Sequence, residues 1–449
     1  MTAGIEQTTS AWERLPAAVR TAMLARGKEN WATIYAGVAT HNKVWRPLRP
    51  PMLTFAEYGA MTAFCDRLAE LILQSCRRRA RTVGDLRRLL GVPPGYIEFL
   101  DEEEVLSEDL LLAIRPDILL SDGVARVVEC NIDSALGGAF DSDGIAERFV
   151  ASYAGDPVLE GVRIEPPPSA VDARYFAMRD SLGLSEGAKV GLLFHMGGDY
   201  PDTQDPEKLI ALLQPVCDRA KRAGLDVVVR PMEWLDLDDE GRLCADGAPL
   251  DAVLRLFIPQ DVPQGRGTDA LSSALRDGTV RMFTSSAAWL LGNKTIFAWL
   301  WHDIDLMTPT DADLLRRHVP HTSVLTPAGL ADAESAQAEL VLKPAGTYGG
   351  AGVVVGPEVS PEVWRASLAT ALATGGQVLQ EYVAADRLSM HFVEMETGEV
   401  VETEVPYCIA PYLFGRQPAG AYLRFQVPGA GSVVNLGQGA LTSGLLLTE

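Results

Sequence analysis

Residues 113–138 read AIRPDILLSDGVARVVECNIDSALGG, and this stretch decides the fold that we predict for the chain. It holds two apolar runs, 118–120 and 124–128, joined by the polar turn 121–123. Gly123 can adopt a positive φ angle, which a tight turn between two antiparallel strands requires. The stretch therefore predicts a β-hairpin.

Polar side chains fall at the ends of this predicted hairpin. Asp117 starts the first strand, while Glu129 and Asn131 end the second. Residues i and i+2 of a strand point to the same face, so Glu129 and Asn131 aim two oxygen ligands at one point that Asp117 can reach. Such hard oxygen ligands suit a Mg²⁺ ion shared with phosphate oxygens. The spacing fits an ordinary solvated strand end about equally well.

Composition narrows the class of protein. The chain has 449 residues, 47% of them hydrophobic, and a net charge of −21. Acidity of this size argues against nucleic acid or an anionic membrane as partner. We find no apolar run long enough for a membrane span, no signal peptide and no C-x-x-C spacing among the six cysteines. These features predict a cytoplasmic protein with reduced thiols and small-molecule partners.

The length suggests several domains. Strand patterns at 189–194, 225–229 and 252–257, with a helix pattern at 207–223, predict a parallel α/β unit. No G-x-G-x-x-G follows its first strand, so a dinucleotide role is weakly supported. We expect four regions: an N-terminal helical region 1–108, metal-binding strands 109–165, a Rossmann-like substrate domain 186–285, and a nucleotide-binding region 286–449 with a glycine-rich lid.

Two further stretches indicate a nucleotide site. A predicted strand ends at Lys343 and is followed by the glycine-rich loop 346–352, whose backbone N–H groups can approach phosphates closely. Because the lysine precedes the glycines, this is not a Walker A loop. The alternative is a glycine-rich hairpin with a surface lysine. A second strand, 377–383, runs into Gln-Glu and can offer backbone groups to an adenine edge.

With these clusters in view, the sequence resembles the circularly permuted ATP-grasp ligases, such as eukaryotic-type glutathione synthetase and glutathionylspermidine synthetase. The resemblance covers roughly 110–140 and 285–449, and it includes paired R-x-D and E-x-N elements. It implies an α/β fold with α+β elements, of the circularly permuted, glutathione synthetase-like ATP-grasp type, with ATP and Mg²⁺ as cofactors.

The resemblance also implies roles for individual residues. Arg115 is the expected catalytic residue, holding the acyl substrate and its intermediate, with Ser134 and Arg424 as further substrate-binding residues. The expected Mg²⁺ ligands are Asp117, Glu129 and Asn131. The expected ATP-binding residues are Lys294, Lys343, Gly346, Tyr348, Gly349, Gly350, Gln380, Glu381, Tyr382 and Val383.

Two departures separate this chain from the glutathione synthetases. Thr347 stands where they carry an acidic metal ligand, and Gln426 stands where they carry a lysine. Both changes argue against glutathione as the product. The predicted activity is an ATP-dependent carboxylate–amine ligase that acts through an acyl phosphate. The donor is an amino acid such as glutamate, and the acceptor an amino acid, short peptide or polyamine. The alternatives are a small-molecule kinase and a non-catalytic ATP-binding protein.

Overall fold

The computed structural model describes residues 8–38, 42–197, 205–427, 429, 434 and 439–449. These residues form a mixed α/β fold. The helices are α1 (Thr8–Arg14), α2 (Ala17–Ile34), α3 (Phe55–Arg77), α4 (Val83–Leu89), α5 (Ala139–Tyr153), α6 (Ala170–Leu182), α7 (Pro206–Ala220), α8 (Arg266–Arg276), α9 (Ala288–Leu291), α10 (Thr295–His302), α11 (Pro309–His318), α12 (Leu330–Ser335) and α13 (Pro361–Thr374).

The strands belong to five sheets. They are β1 (Trp45–Pro47), β2 (Met52–Thr54), β3 (Ala113–Ser121), β4 (Val124–Ile132), β5 (Lys189–Phe194), β6 (Asp226–Pro231), β7 (Asp236–Leu237), β8 (Leu243–Ala245), β9 (Ala248–Pro249), β10 (Ala252–Arg255), β11 (Arg281–Met282), β12 (Thr322–Val324), β13 (Leu340–Pro344), β14 (Val354–Val355), β15 (Gln377–Glu381), β16 (Arg387–Glu394), β17 (Val400–Phe414), β18 (Gln417–Phe425), β19 (Leu441–Ser443) and β20 (Leu446–Thr448).

The largest sheet has seven strands and is built around the long strand β17. The first part of β17 pairs with β16, and the rest pairs with β18 on one side and β3 on the other. Strand β4 pairs with β3 and forms an edge, so the predicted hairpin is attached to this sheet. Helix α3 packs against it and contributes much of the main hydrophobic core.

The predicted hairpin is confirmed, and its strands are longer than the apolar runs alone indicate. Asp122 and Gly123 both have positive φ angles, 50° and 73°, as a tight two-residue turn requires. Asp117 lies in the middle of β3 and not at its start. The pairing of β3 with β4 continues past the apolar runs. The polar side chains in this part of the hairpin line a cavity and do not pack into an apolar core.

The predicted parallel α/β unit is also confirmed. Strands β11, β10, β5 and β6 form a parallel sheet in that order, with α7 against β6. The helix continues as a 3-10 turn and ends at Gly224, whose φ angle is 71°. A second small sheet, in the order β12, β15, β13 and β14, is antiparallel and carries the glycine-rich loop between β13 and β14.

The proline-rich composition of residues 46–51 predicts a loop between helices, but the structure places this stretch between two short strands. It is flanked by β1, which pairs with β16, and by β2, which pairs in parallel with β20. Both partner strands lie more than three hundred residues away, so no local pattern signals them. The glycine-rich sequence at 431–440 predicts a loop, and most of these residues lie outside the described part of the chain. No described helix has the length and hydropathy that a bilayer crossing requires. The six cysteines are free and buried.

Candidate active site

A single large cavity of about 1620 Å³ separates the β3–β4 hairpin from the small antiparallel sheet. Its walls include every site residue predicted above except Lys294 and Ser134. Residues that are up to three hundred positions apart in the chain therefore meet at one place. The strand faces and the glycine-rich loop that the sequence indicated form this cavity.

The hairpin register brings the polar side chains together. Arg115 pairs with Asn131, and Asp117 pairs with Glu129. The register then shifts by one residue, so that Val128 is the extra residue of a β-bulge. The bulge matters because it lets both Val128 and Glu129 line the cavity although they are neighbours in the chain. The Asn131 amide nitrogen donates to the Arg115 carbonyl at 3.1 Å, which leaves its oxygen as an acceptor.

Asp117 lies between two arginines. Its Oδ2 atom is 2.6 Å from the Arg424 guanidinium, and Arg115 Nε is 3.9 Å from its Oδ1. Burial alone would raise the pKa of Asp117, but Arg424 and then Arg115 outweigh it, so the pKa is below its ordinary value. Asp117 Oδ1 is buried and has no hydrogen-bond partner. The Asp117 carboxylate is thus ionised. Its Oδ2 atom is paired with Arg424, and its Oδ1 atom is available to a ligand.

Arg115 is held in place from the opposite side. Its NH1 group donates to the Gly137 carbonyl at 2.9 Å, and the guanidinium lies 5.4 Å from the centre of the Tyr422 ring. Gly138 has a φ angle of 85°, and a Cβ atom there would collide with the same ring. This glycine therefore permits the close packing that positions Tyr422 and, through it, Arg115.

Lys294 lies beneath the cavity wall and joins two of its elements. Its ammonium is 3.0 Å from Glu129 Oε1 and donates to the Thr347 carbonyl at 2.7 Å. The backbone N–H of Lys294 also donates to Ala345 at 2.9 Å. The start of α10 is therefore tied both to β4 and to the glycine-rich loop.

Lys343 is buried, and no carboxylate of the described residues lies within ion-pair distance of it. Its ammonium donates to Gln380 Oε1 at 2.6 Å and to the Val128 carbonyl at 3.2 Å. Burial lowers the pKa of Lys343 to about 8, partly opposed by the more distant Glu129. This lysine lies at the end of β13 as predicted, and it needs an anionic partner to hold its full charge.

The glycine-rich loop covers one side of the cavity. Gly349 and Gly350 have φ angles of 67° and 74°, which side-chain-bearing residues adopt only at a cost. Between the loop and the parallel sheet, Tyr348 Oη donates to Asp261 at 2.5 Å, and its ring meets Trp289 edge-on at 5.7 Å. Neither Asp261 nor Trp289 could be expected here from sequence patterns, because both are distant from the loop in the chain.

The predicted adenine-binding segment, residues 380–383, lines the same cavity at the end of β15. The N–H groups of Glu381 and Tyr382 are already bonded, to His321 at 2.8 Å and Glu339 at 2.7 Å. The Glu381 carboxylate also pairs with Arg126 at 2.9 Å. Gln380 is buried against Lys343. The side chains of 380 and 381 therefore organise this segment.

Ser134 is fully buried and does not line the cavity. Its hydroxyl donates to the Arg255 carbonyl at 3.4 Å. Its neighbour Asp133 does line the cavity, and it binds the fully buried Arg255 guanidinium through two bonds of 2.8 and 2.9 Å. Sequence reasoning missed this pair. Asp133 lies beside the E-x-N element, but its partner comes from β10 of the parallel sheet, more than a hundred residues away.

Within the described part of the chain, no group of three or more His, Cys, Asp or Glu side chains is placed to hold a metal ion. The predicted Mg²⁺ ligands are two carboxylates and one amide, so only two of the three are of these residue types. Its members do face the same cavity.

No protein-family model matches this sequence, and no curated protein matches it. Among solved structures, a glutathione synthetase-like effector from Globodera pallida in its apo form is similar, with a TM-score of 0.55 and 13% identity over 95% of this chain and 97% of that one. This likeness shows a shared fold. The expected glutathione synthetase-like α/β architecture is confirmed at that level, while the circular permutation and the domain boundaries stay predictions.

Two other solved structures are less similar. A gamma-glutamylcysteine synthetase-like protein from Methylobacillus flagellatus KT has a TM-score of 0.44 and 11% identity over 87% of this chain and 88% of that one. D-alanyl-alanine synthetase A from Vibrio cholerae O1 biovar eltor str. N16961 has a TM-score of 0.29 and 17% identity over 51% and 69%. The fold assignment rests on the G. pallida structure.

Proposed function

We propose that this protein is an ATP-dependent carboxylate–amine ligase that forms an amide bond through an acyl phosphate. One observation carries the proposal. Two buried lysines, one in the wall and one beneath it, and two partly buried arginines meet at one cavity beneath a glycine-rich loop. Two lysines suit a triphosphate, and a separate pair of arginines suits the carboxylate that the γ-phosphate activates.

In this proposal ATP lies between the small antiparallel sheet and the hairpin. Lys343 and Lys294 offset the charge of the phosphates, and residues 380–383 border the adenine. The loop residues Gly346, Tyr348, Gly349 and Gly350 cover the phosphates and keep water from the acyl phosphate. Phosphate oxygens would replace the Thr347 carbonyl as the partner of Lys294.

The residues predicted to bind Mg²⁺ fit the ion. Asp117 Oδ1 is buried without a hydrogen-bond partner, and the Glu129 carboxylate and Asn131 amide line the same cavity. Oxygen ligands of this kind suit Mg²⁺ that also binds phosphate oxygens. When bound, the ion would supply positive charge next to the γ-phosphate. Asp117 has a second role here, because it also orients Arg424.

Arg115 would hold the acyl carboxylate while that carboxylate attacks the γ-phosphorus and ADP leaves. An unprotonated amine then attacks the acyl carbon, phosphate leaves, and the amine gives up a proton. The protein contributes positioning and charge neutralisation in both steps. The fork of Arg115 matches two carboxylate oxygens, and Gly137 and Tyr422 hold it in place.

The resemblance to glutathione-type enzymes supports the substrate class, while the departures at Thr347 and Gln426 argue against glutathione itself. Glutathione is not the proposed product. The proposed donor is an amino acid such as glutamate, reacting through its γ-carboxylate, and the acceptor is an amino acid, a short peptide or a polyamine. The proposed location is the cytoplasm, with small molecules as the partners.

A screen of donor and acceptor pairs for ADP release, with mass detection of products, tests this proposal. A ligase releases ADP in proportion to amide and depends on the amine. A kinase would release ADP with the acid alone and yield a stable phosphorylated product. A protein that binds ATP but releases no ADP with any pair would contradict the ligase assignment.

A further inference from the structure

The cavity continues beyond Arg115 to the first turn of α5, where the Asp141 side chain lines its wall. This end is connected to the arginines through packed groups. Arg115 binds the Gly137 carbonyl, and Gly138 packs on the Tyr422 ring, which lies 5.4 Å from Arg115 and 5.3 Å from Arg424. Asp141 is three residues further along, which is a rise of about 5 Å along a helix.

Asp141 has no hydrogen bond or ion pair within the described part of the chain. The nearest cation on its own helix is Arg148, which instead donates to the carbonyls of Ala36 at 2.7 Å and Gly144 at 2.9 Å. Burial raises the pKa of Asp141 to about 6, and Arg148 opposes this shift. Lys43, which is exposed, lines the same cavity. Asp141 is partly buried, and a partly buried carboxylate without a partner contributes nothing to packing, so a purely structural role does not account for it.

Asp143, two residues later on the same helix, shows what a structural carboxylate looks like here. It accepts hydrogen bonds from the Ser169 hydroxyl at 2.7 Å and from the backbone N–H groups of Val171 and Ala170 at 3.0 and 3.2 Å. These bonds fix the start of α6. Asp141 makes none of this kind, and it lines the cavity in which the proposed substrates bind.

We propose that Asp141 binds a cationic ammonium group of the acyl donor, so that the donor is an amino acid or peptide with a free primary amine. This inference rests on the proposed ligase function. A donor whose reacting carboxylate is held by Arg115 extends past Gly138, and its ammonium then reaches Asp141. The arginine at one end of the cavity and the carboxylate at the other match the reacting carboxylate and the ammonium of such a molecule.

The ammonium belongs to the donor and not to the acceptor. A carboxylate next to an amine favours the protonated form of that amine. The acceptor must be unprotonated to attack the acyl carbon, so a carboxylate partner would hinder it. The donor amine takes no part in the reaction and can stay protonated throughout.

The test compares donors that differ only in the amine, with ATP, Mg²⁺ and the acceptor saturating. Glutamate is compared with glutarate, and aspartate with succinate, in the parent protein and in Asp141→Asn. A charged hydrogen bond of this kind corresponds to about 10- to 100-fold in kcat/KM. We expect Asp141→Asn to lose that factor for the amino acid and to leave the value for the desamino acid unchanged or higher.

Two further variants serve as controls. Glu147→Gln removes the same charge from an exposed position of α5, where Glu147 pairs with Arg219 and does not line the cavity. It should leave both donors within about twofold of the parent. Asp141→Glu restores the charge and should recover part of the preference for the amino acid. If Asp141→Asn does not fold, comparing Asp141→Glu with the parent protein in their preference for the amino acid over the desamino acid still tests the role of Asp141.

An equal loss for amino acid and desamino acid would overturn the proposal, as would a raised KM for the acceptor with the donor unaffected. Calorimetry of the same donors with a non-hydrolysable ATP analogue repeats the comparison without turnover. A parent protein that binds glutamate through Asp141 but releases no ADP would contradict the ligase proposal alone. Binding that ignores the donor amine would contradict the role of Asp141 alone.

Discussion

The two walls of the cavity carry buried cations but neutralise them differently. On the wall of the large sheet, Arg424 pairs with Asp117, and Lys294 pairs with Glu129. On the opposite wall, the partners of Lys343 among the described residues are the neutral oxygens of Gln380 and of Val128, which reaches it from β4. Burial opposes the charge of Arg424, yet Asp117 raises its pKa well above the ordinary value, whereas burial lowers the pKa of Lys343 to about 8.

This difference has a consequence for ligand binding. On the first wall, an incoming anion or metal ion has to exchange with an existing ion pair, so removing one partner disturbs the other. On the second wall, a bound phosphate supplies the counter-ion that the Lys343 ammonium lacks. Removing that ammonium does not leave a partner with an unpaired charge. Substitutions on the first wall should therefore mainly slow the chemical step, whereas substitutions on the second wall should mainly weaken nucleotide binding.

The largest effect is expected at Arg115. Arg115→Ala should lower kcat/KM for amide formation by about 100- to 1000-fold, the usual cost of removing a positioned electrostatic group. The affinity for ATP should change little, because Arg115 faces the acyl side of the cavity. Arg115→Lys keeps the charge but not the fork, and should also be poor. Steady-state kinetics with calorimetric ATP binding checks both variants, and a Lys variant as fast as the parent would exclude this role.

A smaller effect, on binding, is expected at Lys343. Lys343→Met should weaken ATP affinity by about 10- to 100-fold, because a charged hydrogen bond to phosphate is lost. The thermal midpoint should not fall, since an unbranched apolar side chain replaces a buried charge that has no counter-ion. Calorimetry and thermal melts measure the two quantities. An unchanged affinity and turnover would refute the assignment of Lys343 to the phosphates.

The hairpin and the parallel α/β unit could be predicted because their signals are local. The turn glycine and the apolar alternation specify β3 and β4, and the strand and helix periods specify the unit from β5 to β10. Lys343 and Arg424 could be placed at a site because each lies in a short motif. Pairs such as Lys294 with Glu129 became evident only in three dimensions.

Other features could not be predicted, for physical reasons. The bulge at Val128 leaves no mark in the residue types, although it lets Val128 line the cavity beside Glu129. Burial of Ser134 depends on β10 packing over it, and Arg255 binds Asp133 across two sheets. The unpartnered state of Asp141 depends on where Arg148 directs its guanidinium. Each is a matter of tertiary packing, which sequence periodicity does not encode.

A smaller effect again is expected for the ion pairs of the first wall. Glu129→Gln should raise the Mg²⁺ concentration for half-maximal activity by about tenfold, because one ligand charge is lost. Asp117→Asn should do the same and should also destabilise the fold by about 3 kcal/mol, because Arg424 is left buried without its counter-ion. Mg²⁺ titrations and thermal melts separate the two effects. If both variants match the parent, the metal site lies elsewhere, and residues 113–138 are not the catalytic centre.

The smallest effect tests the contrast between the walls directly, through the pH dependence of ATP affinity. In the free protein, Lys343 loses its proton as the pH rises through about 8. A bound phosphate holds that proton to higher pH, so binding is strongest below pH 8 and weakens above it. With Mg²⁺ saturating, the Kd for ATP should rise about threefold from pH 7.5 to 8.5. Burial raises the pKa of the neighbouring Cys408 to about 12, so that thiol does not titrate in this range. Calorimetry should find the slope absent in Lys343→Met, and present but moved to higher pH in Lys294→Met, because the charge of Lys294 helps to lower the pKa of Lys343. A slope that survives in Lys343→Met would show that another group titrates, and that the two walls do not differ in the way their structures indicate.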